Sequence, residues 1–300
     1  MPVNDTLAVS ANSFFIPVVS VVGVGLIGGS FAKALKNGGH VGCVLGVGRD
    51  QASLERALQL GLIDRIATLE EAGKASDFIL ISTPASVLGR ICKTIGPLLK
   101  PTAIVTDACS TKVQVIQDAR QSLGSRISQF IPGHPIAGSD ESGPTAADPL
   151  LYWNRNVILT PLPENTNDDI KQVRQCWQAC GAVVREIKAV EHDQIFATVS
   201  HFPHYLSALY MSVVTRADSS GLALSLAGTG FRDFTRIAGG SPEMWRDIFI
   251  SNKDAMLNEI DAFMPVLEET RRMIENSDAE GLHVWLEQAS LARKKWGENK

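Results

Sequence analysis

The stretch that most constrains this chain is PVVSVVGVGLIGGSFAKALKNGGHVGCVLGVGR, residues 17–49. Val18 to Val22 is a short apolar, β-branched run of the kind that fills a buried strand. Gly23-Val24-Gly25-Leu26-Ile27-Gly28 follows at once, and then a helical pattern places Ile27, Phe31, Ala34 and Leu35 on one side. A second apolar run, Val41 to Val47, ends at Gly48-Arg49. Strand, glycine turn, helix and second strand are the parts of a dinucleotide-binding βαβ unit. Its glycines permit a tight turn, close approach of backbone to a pyrophosphate, and close helix–strand packing. The phosphates then rest on the free N–H groups and positive end of the helix. A lone GxGxxG is weak evidence; here the flanking elements are all present. Gly23, Gly25, Leu26, Ile27 and Gly28 are therefore candidate cofactor residues.

The end of the second strand bears on which dinucleotide is bound. An NAD-type unit usually carries Asp or Glu there, holding the ribose 2′-OH. This chain has Gly48-Arg49-Asp50. Gly48 occupies the acid position, and Arg49 can pair with a 2′-phosphate through charge-assisted bonds. NADP is favoured over NAD on that ground.

Three hundred residues correspond to about two domains. A net charge of −4 gives no basic footprint, so nucleic acid is not an expected partner. The apolar runs, about ten residues at most, fall short of a membrane span, so no membrane partner is expected. Residues 1–16 read as an unstructured leader without the pattern of a secretion signal. The five cysteines are scattered and form no CxxC pair, as in reduced cytoplasmic proteins without disulfides or zinc.

Further along, a helix over 53–60 ends at Gly61, and Asp77 to Ser82 is a buried strand. That strand runs into Thr83-Pro84, at the sheet edge where ligands of doubly wound folds lie, so both are candidate cofactor contacts. Another helix, 86–99, leads to a strand at 103–106 that stops at DACSTK, residues 107–112. Phe130-Ile131-Pro132 delivers GHPIAG, residues 133–138, and a polar loop follows over 139–149. Strand signals at 157–160 and 182–187 bracket a helix over 168–180; from Glu191 onward helical periodicity takes over. The reading is an α/β Rossmann-type domain, residues 1–188, followed by an all-α domain, residues 189–300.

Polar residues gather at strand ends in the first domain (Ser110 with Lys112, and His134) and in the second at His192, His201, His204, Asp233 and Arg236. Oxidising an alcohol needs a base within hydrogen-bond reach of the hydroxyl, and histidine has the pKa for it. His134 ends a strand between glycine and proline, which aims it at the cleft. Ser110 either orients His134 or the hydroxyl, or simply caps a helix. His201 and His204 are core or capping residues unless they bind; their spacing lacks the glutamate of a zinc motif, and no metal is expected. Arg236 either forks a substrate carboxylate or pairs with Asp233.

VVGVGLIGGSFAKAL, DACSTK, IPGHPIAGSDESG, EHDQIFATVSHFPHYLSAL and GFRDFTRIAGGSPEMWRDIFISN follow one another in an order that resembles the prephenate/arogenate dehydrogenases of tyrosine biosynthesis. The resemblance covers residues 17–265 and implies a Rossmann-type domain, a helical domain that forms a homodimer, and an active site between them. The implied reaction is oxidative decarboxylation of a cyclohexadienol small molecule, prephenate or arogenate, with hydride passing to NAD or NADP. By this likeness His134 is the residue that deprotonates the ring hydroxyl, and Ser110 bridges hydroxyl, histidine and nicotinamide. His204 and Arg236 match substrate-binding positions, with His201 beside them. Asp233 and Trp245 match residues that gate and close the pocket, and Asp140 matches a position acidic in some members. No chorismate mutase segment precedes the first strand, and the tail is too short for a regulatory domain of usual size. Tyrosine inhibition is then expected at the active site. Two other readings share the fold: a β-hydroxyacid dehydrogenase, whose helical-domain lysine has no counterpart here, and a non-catalytic NADP sensor, which has no need of a base.

Overall fold

The computed structural model describes residues 14–138, 141–218 and 221–298. The first strand, β1 (Ile16–Val22), leads through the glycine turn to α1 (Leu26–Asn37) and β2 (Val41–Val47). It starts earlier than the apolar run suggests. Ile16 is fully buried, and its N–H donates to His40 O at 2.9 Å, so the expected leader overlaps the sheet. Phe14 also packs, its ring stacked on His40. Of that leader, residues 1–13 lie outside the described residues.

The chain continues through α2 (Gln51–Gln59), β3 (Arg65–Ile66), α3 (Leu69–Ala75), β4 (Phe78–Ile81), α4 (Ala85–Ile95), β5 (Ile104–Asp107), α5 (Val113–Leu123) and β6 (Phe130–Ile131). These six strands form one parallel sheet in the order β3-β2-β1-β4-β5-β6. The order reverses between β1 and β4, and a ligand crevice opens at such a switch point, outside the carboxyl ends of the strands. The glycine turn after β1 and Ser82-Thr83-Pro84 after β4 both lie there.

Both faces of the sheet are covered. On one side Trp177 is fully buried against Phe31 and Tyr152, with ring centroids 4.8 and 5.1 Å away. The Tyr152 hydroxyl donates to Ile27 O at 2.6 Å, which ties that core to the start of α1. On the other side Leu88, Ile91, Val115 and Ala119 pack beneath β4 and β5. All five cysteines are free. Burial pushes the Cys92 thiol up to about 12, which keeps it protonated and inert.

Pro132 interrupts the chain after β6, and the next residues leave the main sheet. β7 (Gly133–Pro135), β8 (Asn156–Leu159), α6 (Asn167–Ala179) and β9 (Val183–Glu186) follow. The three strands form a separate sheet, β7 antiparallel to β8 and β8 parallel to β9. His134 sits in β7, so the small sheet carries the candidate base away from the main sheet's edge.

The rest of the described chain is helical: α7 (Ala189–Phe196), α8 (Phe202–Ala217), α9 (Leu222–Ser225), α10 (Thr229–Thr235), α11 (Pro242–Ser251), α12 (Lys253–Glu275) and α13 (Ala279–Glu298). Residues 197–201, between α7 and α8, form a π turn. Pro203 lies in the first turn of α8 and has no N–H to continue a regular ladder backwards.

A buried ion pair fixes β7 to β5. The Lys112 ammonium donates to Asp107 and, at 2.6 Å, to Gly133 O; the Lys112 and Asp107 side chains are both fully buried. Asp107 also accepts from the N–H groups of Cys109 (2.9 Å) and Gly133 (3.0 Å). A Cβ on residue 133 would meet Asp107 O at 3.1 Å, so glycine suits this crossing. Removing one partner of such a pair leaves a buried charge uncompensated, at about 3–5 kcal/mol. Urea unfolding of Lys112→Met is expected to show a loss of that size. A loss below about 1 kcal/mol would mean that the backbone N–H groups alone satisfy Asp107.

Candidate active site

The glycine turn has the shape that a dinucleotide requires. Gly23 has φ +98°, and a Cβ there would meet Ser82 O at 2.6 Å. A Cβ on Gly28 would meet Gly23 O and the Ser82 hydroxyl oxygen, each at 2.3 Å. At Gly25 a Cβ would meet nothing within 4 Å, so open space lies directly above the turn. Gly25 is the N-cap of α1 and supplies no side-chain cap, which leaves the helix N–H groups of Leu26 and Ile27 for an anion. Beside the turn, the buried Thr83 hydroxyl has no hydrogen-bond partner, and Pro84 caps α4. These residues fit a dinucleotide. At the end of β2, Asp50 caps α2, its carboxylate accepting the Ser53 N–H at 3.0 Å, while Arg49 is exposed.

Across the crevice, β7 presses His134 against α7, the first helix of the second domain. The His134 ring is nearly buried, 4.8 Å from Phe196 and 5.1 Å from His192 by ring centroids. Its Nδ1 lies 2.9 Å from His192 Nε2, and His192 Nδ1 lies 2.8 Å from Asp193 Oδ1. Asp193 is held at the start of α5, where its two oxygens accept the N–H groups of Lys112 and Val113 at 2.8 Å each. Carboxylate oxygens only accept, so His192 Nδ1 carries a proton and neutral His192 is an acceptor at Nε2. His134 then donates through Nδ1, and its Nε2 keeps a lone pair. Burial, with the nearby His192, Lys112 and His201, holds the His134 pKa well below the usual histidine value. The ring is neutral at neutral pH and competent as a base.

His201, in the π turn, is fixed the opposite way. The Asn252 amide nitrogen donates to Asp193 O at 2.8 Å and contacts His201 Nδ1 at 3.1 Å. An amide nitrogen only donates, so His201 Nδ1 accepts and its proton sits on Nε2. His201 Nε2 is buried and has no partner. Burial lowers this histidine to about 4.

His204, half-buried on α8, donates through Nδ1 to Ile237 O at 3.1 Å and stacks on Trp245, with centroids 3.6 Å apart. Burial, offset in part by the Ile237 bond and reinforced by the Arg236 charge, lowers its pKa. Together with Ile237 and Phe249 these two rings line a cavity of about 520 Å³ with mostly apolar walls. Arg236 caps α10, Asp233 stands on the same helix, and both are exposed. Asp140 lies outside the described residues. Ser110 is half-buried at the mouth of the loop after β5, and His134 Nδ1 is taken by His192 rather than by this serine. Sequence reading grouped His192 only with the other histidines and missed Asp193 and Asn252. The available signal was EHD at 191–193, an acid and an imidazole opening the first helix after the last strand. Among the described residues no cluster of three His, Cys, Asp or Glu is placed for a metal, and no helix is long and apolar enough to cross a membrane.

A glycine-cradled nucleotide site in an α/β domain, facing a buried neutral histidine at the junction with a helical domain, defines a dinucleotide-dependent dehydrogenase. Residues 31–186 match the prephenate dehydrogenase nucleotide-binding domain, and residues 188–288 match the prephenate dehydrogenase dimerization domain. The chain belongs to the prephenate dehydrogenase family. It is 34% identical to the prephenate dehydrogenase of Bacillus subtilis over 90% of this chain and 74% of the relative. The crystal structure of A. aeolicus prephenate dehydrogenase with hydroxyphenyl propionate and NAD+ aligns with a TM-score of 0.89. It is 33% identical, over 94% of this chain and 99% of that one. Synechocystis arogenate dehydrogenase aligns with a TM-score of 0.78 at 30% identity, over 93% and 99% of the two chains. Matches to both domains set aside the β-hydroxyacid dehydrogenase reading, which shares only the fold.

The geometry of the glycine turn separates two neighbouring substitutions. Gly25→Ala places a methyl in open space, so stability should change by less than about 1 kcal/mol. The same methyl intrudes where the phosphates approach, so dinucleotide affinity by titration calorimetry should fall about tenfold or more. Gly28→Ala drives a Cβ into two oxygens and should cost about 1–3 kcal/mol of stability in denaturant unfolding. Equal stability in the two variants would contradict this account.

Three buried histidines also tie stability to pH. Burial lowers His134, His192 and His201 in the folded protein, whereas in the unfolded chain they titrate near about 6.5. Below about pH 6.5 the unfolded chain binds more protons, so stability is lost as pH falls toward the folded values, about 4 for His201. The ligand-free Tm should drop steeply between about pH 7 and 5, and a flat profile would show that these rings are not held neutral.

Proposed function

We propose that this chain oxidatively decarboxylates prephenate, arogenate or both, giving 4-hydroxyphenylpyruvate or tyrosine, in tyrosine biosynthesis. The observation that carries the reading is the free lone pair on His134 Nε2, fixed by the contacts on the far side of the ring. A ring hydroxyl placed against Nε2 gives up its proton there as the carbon beneath it loses hydride. Loss of the ring carboxylate as CO2 makes the ring aromatic, and the phenolate takes the proton back from His134. The atoms balance with no net proton released.

Gly23, Gly25, Leu26, Ile27, Gly28, Thr83 and Pro84 would hold the dinucleotide. When bound, a nicotinamide dinucleotide supplies the hydride acceptor. The exposed Arg49, next to an Asp50 committed to capping α2, supports NADP as the preferred form. In this reading Ser110, half-buried in the loop after β5, bridges the hydroxyl and the cofactor. Arg236 receives a substrate carboxylate, and His201 offers its Nε2–H to a substrate oxygen. His204, whose Nδ1–H is held by Ile237 O, binds substrate through Nε2 and takes up a proton there when a carboxylate docks against it. Trp245 and Asp233 close the pocket, and Asp140 is a further proposed substrate contact.

The helical domain supports a homodimer. Leu209 and Val213 on α8, Leu267 and Ile274 on α12, and Leu286 and Leu291 on α13 are exposed in the single chain. Such a spread of apolar side chains suits a second copy in the manner of a dimerization domain.

Initial rates with prephenate and arogenate, each against NAD and NADP, test the whole reading. Turnover is expected with at least one substrate, and with the higher kcat/KM for NADP. His134→Asn should lower kcat by about 10²–10⁴-fold. No turnover in any combination would overturn the reaction, and full activity of the variant would overturn the base.

A further inference from the structure

Behind His134 stands a chain of groups that the reaction as outlined leaves unexplained. His192 is fully buried, with its two ring nitrogens bonded to His134 and to Asp193. A buried imidazole bonded on both sides could be simple packing. Two features argue for more. The chain Asp193–His192–His134 has one consistent set of proton positions, and that set leaves the lone pair on Nε2, the ring nitrogen away from the His192 contact. In addition, Asp193 comes from the helical domain yet caps α5 of the nucleotide-binding domain, so its carboxylate is held from both sides.

We propose that His192 and Asp193 are positioning residues that fix the His134 tautomer and share the proton His134 borrows. The inference rests on the dehydrogenase reading given above. As the substrate O–H bond breaks, a bond forms from that proton to His134 Nε2. The proton on His134 Nδ1 then shifts along its 2.9 Å contact to His192 Nε2, making His192 the imidazolium. His192 keeps its Nδ1–H bond to Asp193 throughout, and the carboxylate stays unprotonated and balances the charge. When the phenolate forms, both shifts reverse. The charge thus spends the reaction beside a carboxylate instead of on a ring that burial keeps from ionising.

The groups facing His192 are His134 from β7, Asp193 from its own helix, Lys112 from the loop before α5, Asp107 from β5 and His201 from the π turn. Lys112 disfavours the imidazolium, while Asp193 and Asp107 favour it. Removing the Asp193 charge therefore makes the protonated pair harder to form, and the acid limb of kcat/KM should move to lower pH.

Asp193→Asn makes the test sharp. An asparagine can cap α5 with its oxygen and turn its NH2 group to His192, which reverses both tautomers and puts a proton on His134 Nε2. With full-length dimeric enzyme we expect kcat to fall by about 10²–10⁴-fold, as for other acid–base groups. Substrate KM and dinucleotide Kd should stay within about threefold, because both residues are buried and bonded within the protein. The acid limb should shift downward, and ¹⁵N-histidine NMR should show the His134 proton moving from Nδ1 to Nε2. His192→Gln leaves the α5 cap intact and offers an amide oxygen to His134 but cannot accept a proton. It should keep the His134 Nδ1–H signal, lose about 10²-fold in kcat, and show the same limb shift.

Unchanged kcat and acid limb in His192→Gln would overturn the proposal even if Asp193→Asn failed to fold. The NMR reading of the wild type needs no substrate. A His134 proton found on Nε2 would sink the relay and leave the dehydrogenase reading standing. A wild type with the Nδ1 proton but no turnover in any combination would instead sink the reaction.

Discussion

The carboxylate and carbonyl of Asp193 are the point on which this molecule turns. One residue accepts from the N–H groups of Lys112 and Val113 at the start of α5, from His192, and, through its backbone oxygen, from Asn252. The N-terminal N–H groups of a helix lack intrahelical partners, so α5 needs an acceptor, and its own N-cap residue, Lys112, makes no side-chain cap. The acceptor comes from the next domain. A local rule of helix chemistry is thereby met by a tertiary contact that joins the two domains at the active site.

That arrangement makes the two central histidines opposite in kind. His134 receives nothing on Nδ1 and must donate there; His201 is donated to on Nδ1 and must carry its proton on Nε2. One site therefore presents an acceptor and a donor, set without any charge on either ring. Burial reinforces the neutrality, since desolvation is the largest influence on both pKa values. The cost is borne by the buried Lys112–Asp107 pair, whose hydrogen bonds to Gly133 hold β7 in place. A buried ion pair is weak evidence for stability and better evidence for a fixed geometry. Here the geometry it fixes is the strand that carries His134.

The βαβ unit was legible because three local signals agreed: β-branched runs, the glycine spacing and a helical stripe. The nucleotide-binding side of the crevice follows from those residues alone, and the helical character after Glu191 from the periodicity of that stretch. What local patterns could not supply was anything made by distant contact. β3 has two residues, too few to stand out by periodicity. The strands at 157–160 and 182–187 are readable, but not that they leave the main sheet, because the break is a single proline at 132 between two short strands. His134 stood out as a candidate base from its position between glycine and proline. Its partner did not, since His192 lies 58 residues away and the two meet only when α7 docks. The sequence leaves Ser110 to orient His134 or the hydroxyl, or to cap a helix. The actual contact at Nδ1 is made from the other domain.

A base with a depressed pKa is ordinarily a poor one, and the chemistry explains why it suffices. In a simple alcohol dehydrogenation the proton leaves for solvent through the base, and a weak base draws it from the hydroxyl less readily. Here the ring hydroxyl loses its proton as hydride leaves, and the phenol recovers it once CO2 has gone. The proton is held only between those two events, and aromatisation makes the sequence effectively irreversible whatever the affinity of the base. Selection on such a site favours a lone pair that is always present and correctly aimed over one that binds protons tightly. A water-facing histidine near its usual pKa would be part-protonated at neutral pH and blocked for that fraction of the time. Burying His134, and placing its proton-sharing partner behind it instead of in solvent, removes that loss and keeps the returned proton within reach of the oxygen it came from.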